Sequence, residues 1–338
     1  MTEKNYGGAN SFGFKGSANK SNSEASLTAK PKKEKVEVQK SDISSEIVDA
    51  YLKAGKITAE VREYVKKFIK RGMPLIEIAE KIESRVEELG GKSAFPVNLS
   101  IDEIAAHYTP TLKDELKAEG LLKVDFGVEV EGYIADNAIS FDFSDDGRYS
   151  EMIKFNQELL SKAIDSVNLG DPIKSIGNTI AAEIEKNGKY KIIRNLSGHS
   201  LEKDEIHAGL TVSNLINENN FELKDIAIAV EPFLTQGKGE IYEGKPSEIY
   251  MLQEPKLTRD RDARKVLEFI QATYRTKPFC RRWLEKAGFL KLNFILPILI
   301  REGIIYNFPV LIEKDKKPVS QAEHTLLFAD KKYVTTKN

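Results

Sequence analysis

The sequence of 338 residues is poor in cysteine and has no long apolar run. Its one cysteine, Cys280, excludes an internal disulfide framework and a zinc site built from several thiolates, which fits a reducing compartment. The longest apolar run, Phe294 to Ile300, is much shorter than the roughly 18 residues of a membrane helix. The first 29 residues lack the apolar core of a secretory signal. We therefore expect a soluble, cytoplasmic protein that does not bind membranes.

Neither sign of charge dominates, because 51 Lys and Arg residues face 52 Asp and Glu residues, for a net charge of -1. This balance excludes a global attraction to nucleic acid, so a polyanionic partner would need a local basic patch. With 41% apolar and 30% charged residues, the composition is that of a globular protein. The length allows either one large α/β domain with an insertion or two domains.

The first 40 residues are rich in Gly, Ser, Asn and Lys, with eight Lys against four Glu and few aliphatic side chains. So little apolar area cannot offset the entropy lost on ordering. We predict a disordered, mildly basic tail over residues 1–43, which serves as a linker or docks to a polyanion such as the ribosome.

From Ser44 the apolar residues recur at spacings of three and four, the pattern of amphipathic helices. Gly55, Gly72 with Pro74, and the pair Gly90-Gly91 are breaking signals that divide this segment into three predicted helices.

Residues 122–142 alternate as a β-hairpin with Glu131-Gly132 at its turn. In that register position i faces position 263 minus i, so Asp125 lies opposite Ala138 and diagonal to Asp136. Both carboxylates then lie on one face, within reach of a shared ion. Two such acids are often only solvated, and a bulge would change the register.

Only four histidines occur, and two of them, His199 and His207, lie within NLSGHSLEKDEIHAG. His107 and His324 lie in AFPVNLSIDEIAAHYTP and QAEHT. Two further acids accompany apolar strands: Glu231 ends the predicted strand 226–233, and Glu323 lies in the predicted strand 319–328. A buried acid is costly unless it is paired or binds a metal.

Residues 246–306 form a predicted helical insertion, with helices at about 262–274, 279–286 and 294–302 and a strand at 304–308. Residues 256–291 contain eleven Lys and Arg against four Asp and Glu. The module is winged-helix-like, a shape that often binds nucleic acid, although its charges can also be solvated faces that cover one wall of a site.

Four carboxylates and one imidazole suit a pair of divalent ions such as Co, Mn, Fe or Zn. The candidate ligands are Asp125, Asp136, His199, Glu231 and Glu323. Two ions bridged by carboxylates can activate water for attack on a carbonyl, so the predicted reaction class is metal-assisted hydrolysis.

The chain also resembles the type II methionine aminopeptidases over residues 44–330. The resemblance lies in AFPVNLSIDEIAAHYTP, VDFGVEVEGYIADNA, NLSGHSLEKDEIHAG, EPFLTQGKG and QAEHT. It implies the α/β (α+β) pita-bread fold: two pseudo-two-fold halves and a central curved antiparallel sheet covered by helices. The catalytic domain would comprise residues 44–245 and 307–338, interrupted by the insertion. The separation of 92 residues between Glu231 and Glu323 leaves room for the insertion that distinguishes type II from type I.

The resemblance also implies a role for each site residue. Asp125 would bind one metal, His199 and Glu231 the other, while Asp136 and Glu323 would bridge them. Glu231 would also act as general acid and base, and His107 and His207 would contact the substrate and the tetrahedral intermediate. Phe95, Ile206 and Phe308 would line the methionine pocket. The implied activity is removal of the initiator methionine from nascent peptide N-termini when the second residue is small, by a monomer.

Two departures from the family pattern affect the surroundings of the site. Asp102 stands where Asn is usual, and its charge is expected to raise the pKa of His107. Ser140 stands where Thr is common and keeps the hydroxyl. Two alternatives share the fold: an Xaa-Pro peptidase, and a protein that has lost catalysis and binds RNA or ribosomes. The intact ligands oppose the second, and Ala208 after His207, where prolidases usually have an acid, opposes the first.

Overall fold

The structure is a computed structural model that describes residues 42–254 and 256–337. The predicted tail over residues 1–43 therefore lies almost entirely outside the described residues. Within them, the helices are α1 (Ser45–Phe68), α2 (Leu75–Glu88), α3 (Ser150–Asp165), α4 (Lys174–Asn187), α5 (Arg261–Thr273), α6 (Arg281–Lys286) and α7 (Leu292–Arg301). No helix among them is long and apolar enough to cross a membrane.

The strands form four antiparallel sheets in the described part of the chain. The strands are β1 (Lys92–Ser93), β2 (Asn98–Ile101), β3 (Ile104–Ala106), β4 (Gly120–Val130), β5 (Tyr133–Phe143), β6 (Lys191–Ile192), β7 (Gly198–Leu201), β8 (Thr211–Val212), β9 (Ile226–Val230), β10 (Phe233–Thr235), β11 (Ile241–Leu252), β12 (Phe279–Cys280), β13 (Ile305–Glu313), β14 (Val319–Gln321), β15 (His324–Phe328) and β16 (Lys332–Val334).

The first helical segment contains two helices, so the prediction of three was wrong. α1 continues through Gly55 for 24 residues, and α2 follows the turn at Gly72. A Cβ on Gly55 would lie 2.2 Å from the carbonyl oxygen of Thr335. The glycine therefore lets the C-terminal segment pack directly on α1, and it does not end the helix.

The β4–β5 hairpin has the predicted register. Val130 pairs with Tyr133 and Asp125 with Ala138, and Glu131 and Gly132 form the turn with φ of 55° and 89°. Positive φ at both turn positions matches the twist of the strands. The apolar face packs against α1 and α2 in a buried cluster that includes Leu122, Val124 and Phe126. Burial of that face leaves the opposite, acidic face toward the site.

The other half of the fold covers the sheet β16-β15-β9-β7-β8 with α3 and α4. Their apolar faces share a buried cluster with Ile228, Val230 and Leu326. The predicted strand 226–233 is β9 followed by β10, and the predicted strand 319–328 is two strands, β14 and β15. The break between them lies at Ala322 and Glu323, so Glu323 lies outside the regular strand pairing.

The insertion contains α5, α6 and α7 around a hydrophobic cluster of its own, with Val266, Phe279, Leu296 and Ile305 among its members. β11 and β13 run through the predicted boundaries at residues 246 and 306 and pair with each other. The helices therefore extend from a hairpin whose second strand also pairs with β3 of the rest of the fold. The assignment of residues 246–306 as a winged-helix-like subdomain remains a prediction.

Candidate metal centre and active site

Asp125 and Asp136 extend from the polar face of the β4–β5 hairpin. Asp125 pairs with Ala138, and Asp136 pairs with Gly127, so the two acids are diagonal neighbours on adjacent strands. Side chains separated by one diagonal step share a face. Both carboxylates line one cavity, as the register predicted.

His199 and Glu231 reach the same cavity from β7 and the end of β9. His199 pairs with Ala229, two residues before Glu231. A Cβ on Gly198 would lie 2.1 Å from the carbonyl oxygen of Ala229, so glycine permits this close approach. The Nε2 atom of His199 lies 3.5 Å from Glu231 Oε1 and 3.7 Å from Asp136 Oδ2.

Glu323 completes the cluster from the break between β14 and β15. Its backbone N–H donates to the carbonyl oxygen of Ala138 at 3.2 Å, which fixes it beside the hairpin. Possible ligand atoms of Asp136, His199 and Glu323 lie within 4.8 Å of one another. Five candidate ligands from four separate chain segments therefore line one cavity.

Burial makes this cluster electrostatically unfavourable without a cation. Asp136, Glu231 and Glu323 are at most 9% exposed. Burial raises the pKa of Asp125 to about 7, and burial together with the neighbouring carboxylates raises the pKa of Asp136, Glu231 and Glu323 well above their usual range. Oδ1 of Asp125 and Oε1 of Glu323 are buried without a hydrogen-bond partner in the described residues. Acceptors of this kind fit a bound cation.

His107 and His207 lie on the cavity wall as neutral rings. Burial lowers the pKa of both, that of His107 to about 4. His107 Nδ1 lies 3.1 Å from the carbonyl oxygen of Pro309, which can only accept, so the ring proton is on Nδ1 and Nε2 has a free lone pair. The His207 ring lies 4.3 Å from that of His199.

The expectation that Asp102 raises the pKa of His107 was wrong. Burial is the dominant influence on this imidazole, and the pKa is lowered. The Asp102 carboxylate instead accepts the backbone N–H of Leu121 at 2.8 Å. The backbone carbonyl oxygen of Asp102 accepts a hydrogen bond from Lys123 Nζ. Both Asp102 and His107 have positive φ, 45° and 64°.

All ten predicted site residues line this cavity, whose volume is about 370 Å³. The apolar part of the wall includes the three predicted pocket residues, Phe95, Ile206 and Phe308. The polar part includes four acids and three histidines: Asp125, Asp136, Glu231, Glu323, His107, His199 and His207. Phe308 stacks edge-on against His107, with ring centroids 5.3 Å apart. The cavity thus combines an apolar wall with a cluster of acids.

Sequence reasoning missed Gln321, which lies between two of the acids. Its Nε2 donates to Asp125 Oδ2 at 3.3 Å and to Glu231 Oε2 at 3.4 Å. The Ser140 hydroxyl donates to the carbonyl oxygen of Gln321 and accepts its N–H, which fixes its backbone. Gln321 begins the QAEHT motif, so its position two residues before Glu323 was the available signal.

Thr325 was missed in the same motif. Its hydroxyl accepts the backbone N–H of Asp136 at 2.7 Å and donates to the carbonyl oxygen of Asp136 at 2.9 Å. This pair of bonds joins β15 to the hairpin directly at a candidate ligand. His324, between Glu323 and Thr325, binds Thr336 and lines a different cavity.

Comparison with known proteins identifies the family. The model of metallopeptidase family M24 matches residues 49–253. A methionine aminopeptidase from Pyrococcus horikoshii is 42% identical over 287 residues, covering 83% of this chain and 96% of that protein. The relative from Methanocaldococcus jannaschii, also a methionine aminopeptidase, is 41% identical, covering 82% and 94%.

A solved structure shows the same fold at low sequence identity. The methionine aminopeptidase of Thermotoga maritima superposes with a TM-score of 0.62 at 18% identity, covering 88% of this chain and 98% of that one. The predicted pita-bread architecture, with its curved antiparallel sheet and covering helices, is therefore confirmed. The chain belongs to metallopeptidase family M24, within its methionine aminopeptidases.

Proposed function

We propose that this protein removes the N-terminal methionine from peptides whose second residue is small, in the cytoplasm, where nascent chains emerge. The observation that carries this proposal is the convergence of five candidate metal ligands and two neutral imidazoles on one cavity with an apolar wall. The methionine aminopeptidase relatives support the same activity.

The residues present fit a pair of divalent cations. The acids are buried, two of their oxygens lack partners among the described residues, and hard oxygen donors with one imidazole suit Co, Mn, Fe or Zn. Asp125 would hold one ion, His199 and Glu231 the other, and Asp136 and Glu323 would bridge them. When bound, such ions activate water and polarise a carbonyl.

Glu231 and the two histidines would handle the protons and the developing charge. Glu231 would take a proton from the attacking water and return it to the leaving amine. His107, with its ring proton on Nδ1, would accept a hydrogen bond from a substrate N–H through Nε2. His207 would donate its ring N–H to the oxyanion of the tetrahedral intermediate.

Phe95, Ile206 and Phe308 would select the side chain to be removed. All three line the cavity, and Phe95 and Ile206 are almost fully buried. A Cβ on Gly127 would lie 2.4 Å from the Phe95 ring, so this glycine leaves room for the ring beside the hairpin. An unbranched thioether fits such an apolar slot.

We assign the chain to the type II group because of the insertion between Glu231 and Glu323. Its three helices pack around a cluster of their own between β11 and β13. Contact with the ribosome through the basic tail or through this insertion is part of the same proposal. Comparing co-sedimentation of the full chain with that of a chain starting at Ser44 tests the tail, and equal retention would remove it from the proposal.

The activity is tested with Met-Ala-Ser, Met-Leu-Ser and an Xaa-Pro dipeptide, each with Mn, Fe, Co or Zn and without metal. We expect metal-dependent release of methionine from Met-Ala-Ser, much less from Met-Leu-Ser and none from the Xaa-Pro peptide. Cleavage of only the Xaa-Pro substrate, or none with any metal, would refute the proposal. Glu231→Gln should lose activity while the protein remains folded.

A further inference from the structure

A second cavity, of about 430 Å³, lies behind β15 and is separate from the candidate metal centre. One face of α1, with Arg62 and Lys66, forms one wall, and one face of α3 forms the other. His324 and the segment Thr336-Lys337 complete it. Glu323 lines the first cavity and His324 this one, so adjacent residues contribute to two different sites.

Arg62 is the central cation of this cavity, and the Glu63 and Glu323 carboxylates act on its charge without forming a direct ion pair with it in the described part of the chain. The residue is 9% exposed. Its Nη1 donates to Asn137 Oδ1 and to the carbonyl oxygen of Ala138, and it forms no ion pair with an acid among residues 42–254 and 256–337. Burial lowers the pKa of its guanidinium to about 10. A guanidinium has five donors in a planar fork, so most of its capacity is available to a ligand.

The remaining charges of the cavity leave an excess of positive charge. Lys66 and Lys337 add two ammonium groups, and Glu63 is the one carboxylate among the described lining residues. Glu63 forms an ion pair with Lys66 at 2.5 Å, which offsets a single charge. Three cations against one lining anion leave an excess of positive charge on the wall of the cavity, which favours an anion of more than one negative charge.

Neutral donors complete the lining. Thr336 Oγ1 accepts the backbone N–H of Thr325 at 3.1 Å and lies 2.8 Å from His324 Nδ1. Gln157 and Ser161, on α3, add polar side chains. This set of lining groups is rich in hydrogen-bond donors, and oxyanions are ligands that only accept.

We propose that this cavity binds a phosphate group, either as inorganic phosphate or as a small phosphate monoester. A guanidinium matches two phosphate oxygens at once, and two ammonium groups neutralise the second charge. A carboxylate would leave one positive charge uncompensated. The Arg62 guanidinium also bonds to Asn137 and Ala138, beside Asp136 and Glu323, so an occupied cavity would rigidify the backbone of the candidate metal centre.

Calorimetric titration of the full chain, freed of divalent ions on a chelating resin, tests this site. Inorganic phosphate, glycerol phosphate and acetate are compared at constant ionic strength. We expect saturable binding at one site for the two phosphates and none for acetate. The tighter of the two phosphates identifies the preferred form, the free ion or the monoester, and phosphate should raise the melting temperature by mass action.

The variant Lys66→Gln/Lys337→Gln should weaken phosphate binding by about tenfold, because two charge-assisted hydrogen bonds are lost. Its matched control, Lys67→Gln/Lys331→Gln, removes the same charge from neighbouring positions that do not line the cavity, and should bind phosphate normally. Both pairs consist of exposed residues, so both variants should fold. Equal weakening of phosphate binding in the two double variants would show that phosphate responds only to the net charge of the protein. That result, unsaturable heats, or acetate binding as tight as phosphate would overturn the proposal.

Discussion

Arg282 and Glu83 form a buried bidentate ion pair that joins α6 of the insertion to α2 at the other end of the chain. Nη1 and Nη2 of the guanidinium lie 2.5 and 2.8 Å from the two carboxylate oxygens, and Arg282 is 1% exposed. Its Nε also donates to the carbonyl oxygen of Pro110. The insertion is thus anchored to α2 by a largely buried ion pair.

Glu83→Gln should lower the free energy of unfolding by about 3–5 kcal/mol, because it leaves the Arg282 charge buried and unpaired. Urea denaturation measures the change. The matched control is Glu80→Gln, whose partner Lys286 also joins α2 to α6 but at an exposed position. We expect that control to cost at most about 1 kcal/mol. Equal losses of unfolding free energy in the two variants would show that the buried ion pair stabilises the protein no more than the exposed pair does.

Gly55→Ala should destabilise the protein although alanine favours helices. The added methyl group would meet the Thr335 carbonyl at 2.2 Å, so the C-terminal segment must move away from α1. We expect a loss of about 1–3 kcal/mol, the usual cost of overpacking. Thermal denaturation is the measurement, with Lys53→Ala on the exposed side of α1 as the control. A stabilised Gly55→Ala protein would contradict this close contact.

Gln321→Ala should impair the metal centre without unfolding the protein. The amide holds Asp125 and Glu231 by one hydrogen bond each, and loss of such a support commonly costs about 10–100-fold in metal affinity or activity. Metal titration and kcat together measure the effect. Gln271→Ala, on α5 of the insertion, is the control. Unchanged metal affinity and kcat in Gln321→Ala would show that the ligands need no such support.

Removal of the metals should make stability fall as pH rises above about 6.5, the ordinary pKa of histidine. The carboxyl pKa values are raised in the folded protein, that of Asp125 to about 7, so these acids hold more protons in the folded state than in the unfolded state, and that stability is lost as pH rises through the raised pKa values. The buried histidines, whose pKa values are lowered, oppose this effect only below about pH 6.5. Urea unfolding of the chelated protein at several pH values tests this.

Asp125→Asn provides the comparison for that pH profile. The amide cannot ionise, so the chelated variant should lose less stability between pH 5 and pH 7.5 than the chelated parent. Adding Mn or Co at pH 7.5 should stabilise the parent and should stabilise Asp125→Asn less. Identical pH profiles for the two chelated proteins would show that Asp125 does not titrate in this range.

The register of the β4–β5 hairpin was determined by the sequence itself. Strict alternation over both strands and a two-residue turn leave one pairing, and with it the shared face of Asp125 and Asp136. The apolar strand before Glu231 was likewise predicted from residues that are neighbours in the sequence. By contrast, the motifs around the histidines suggested chemistry only when combined with the distant acids, because no single spacing brings those segments together.

Only the tertiary structure decided which residues support the site and how the glycines act. Gly55 signals a break locally, yet α1 continues because its missing side chain makes room for Thr335, 280 residues later. The bonds from Gln321 to Asp125 and Glu231, the proton on His107 Nδ1 and the pair of Arg282 with Glu83 all depend on partners 90 to 202 residues away. Periodicity reports only neighbours within a few residues, so contacts at such separations are fixed by the packing of the whole fold.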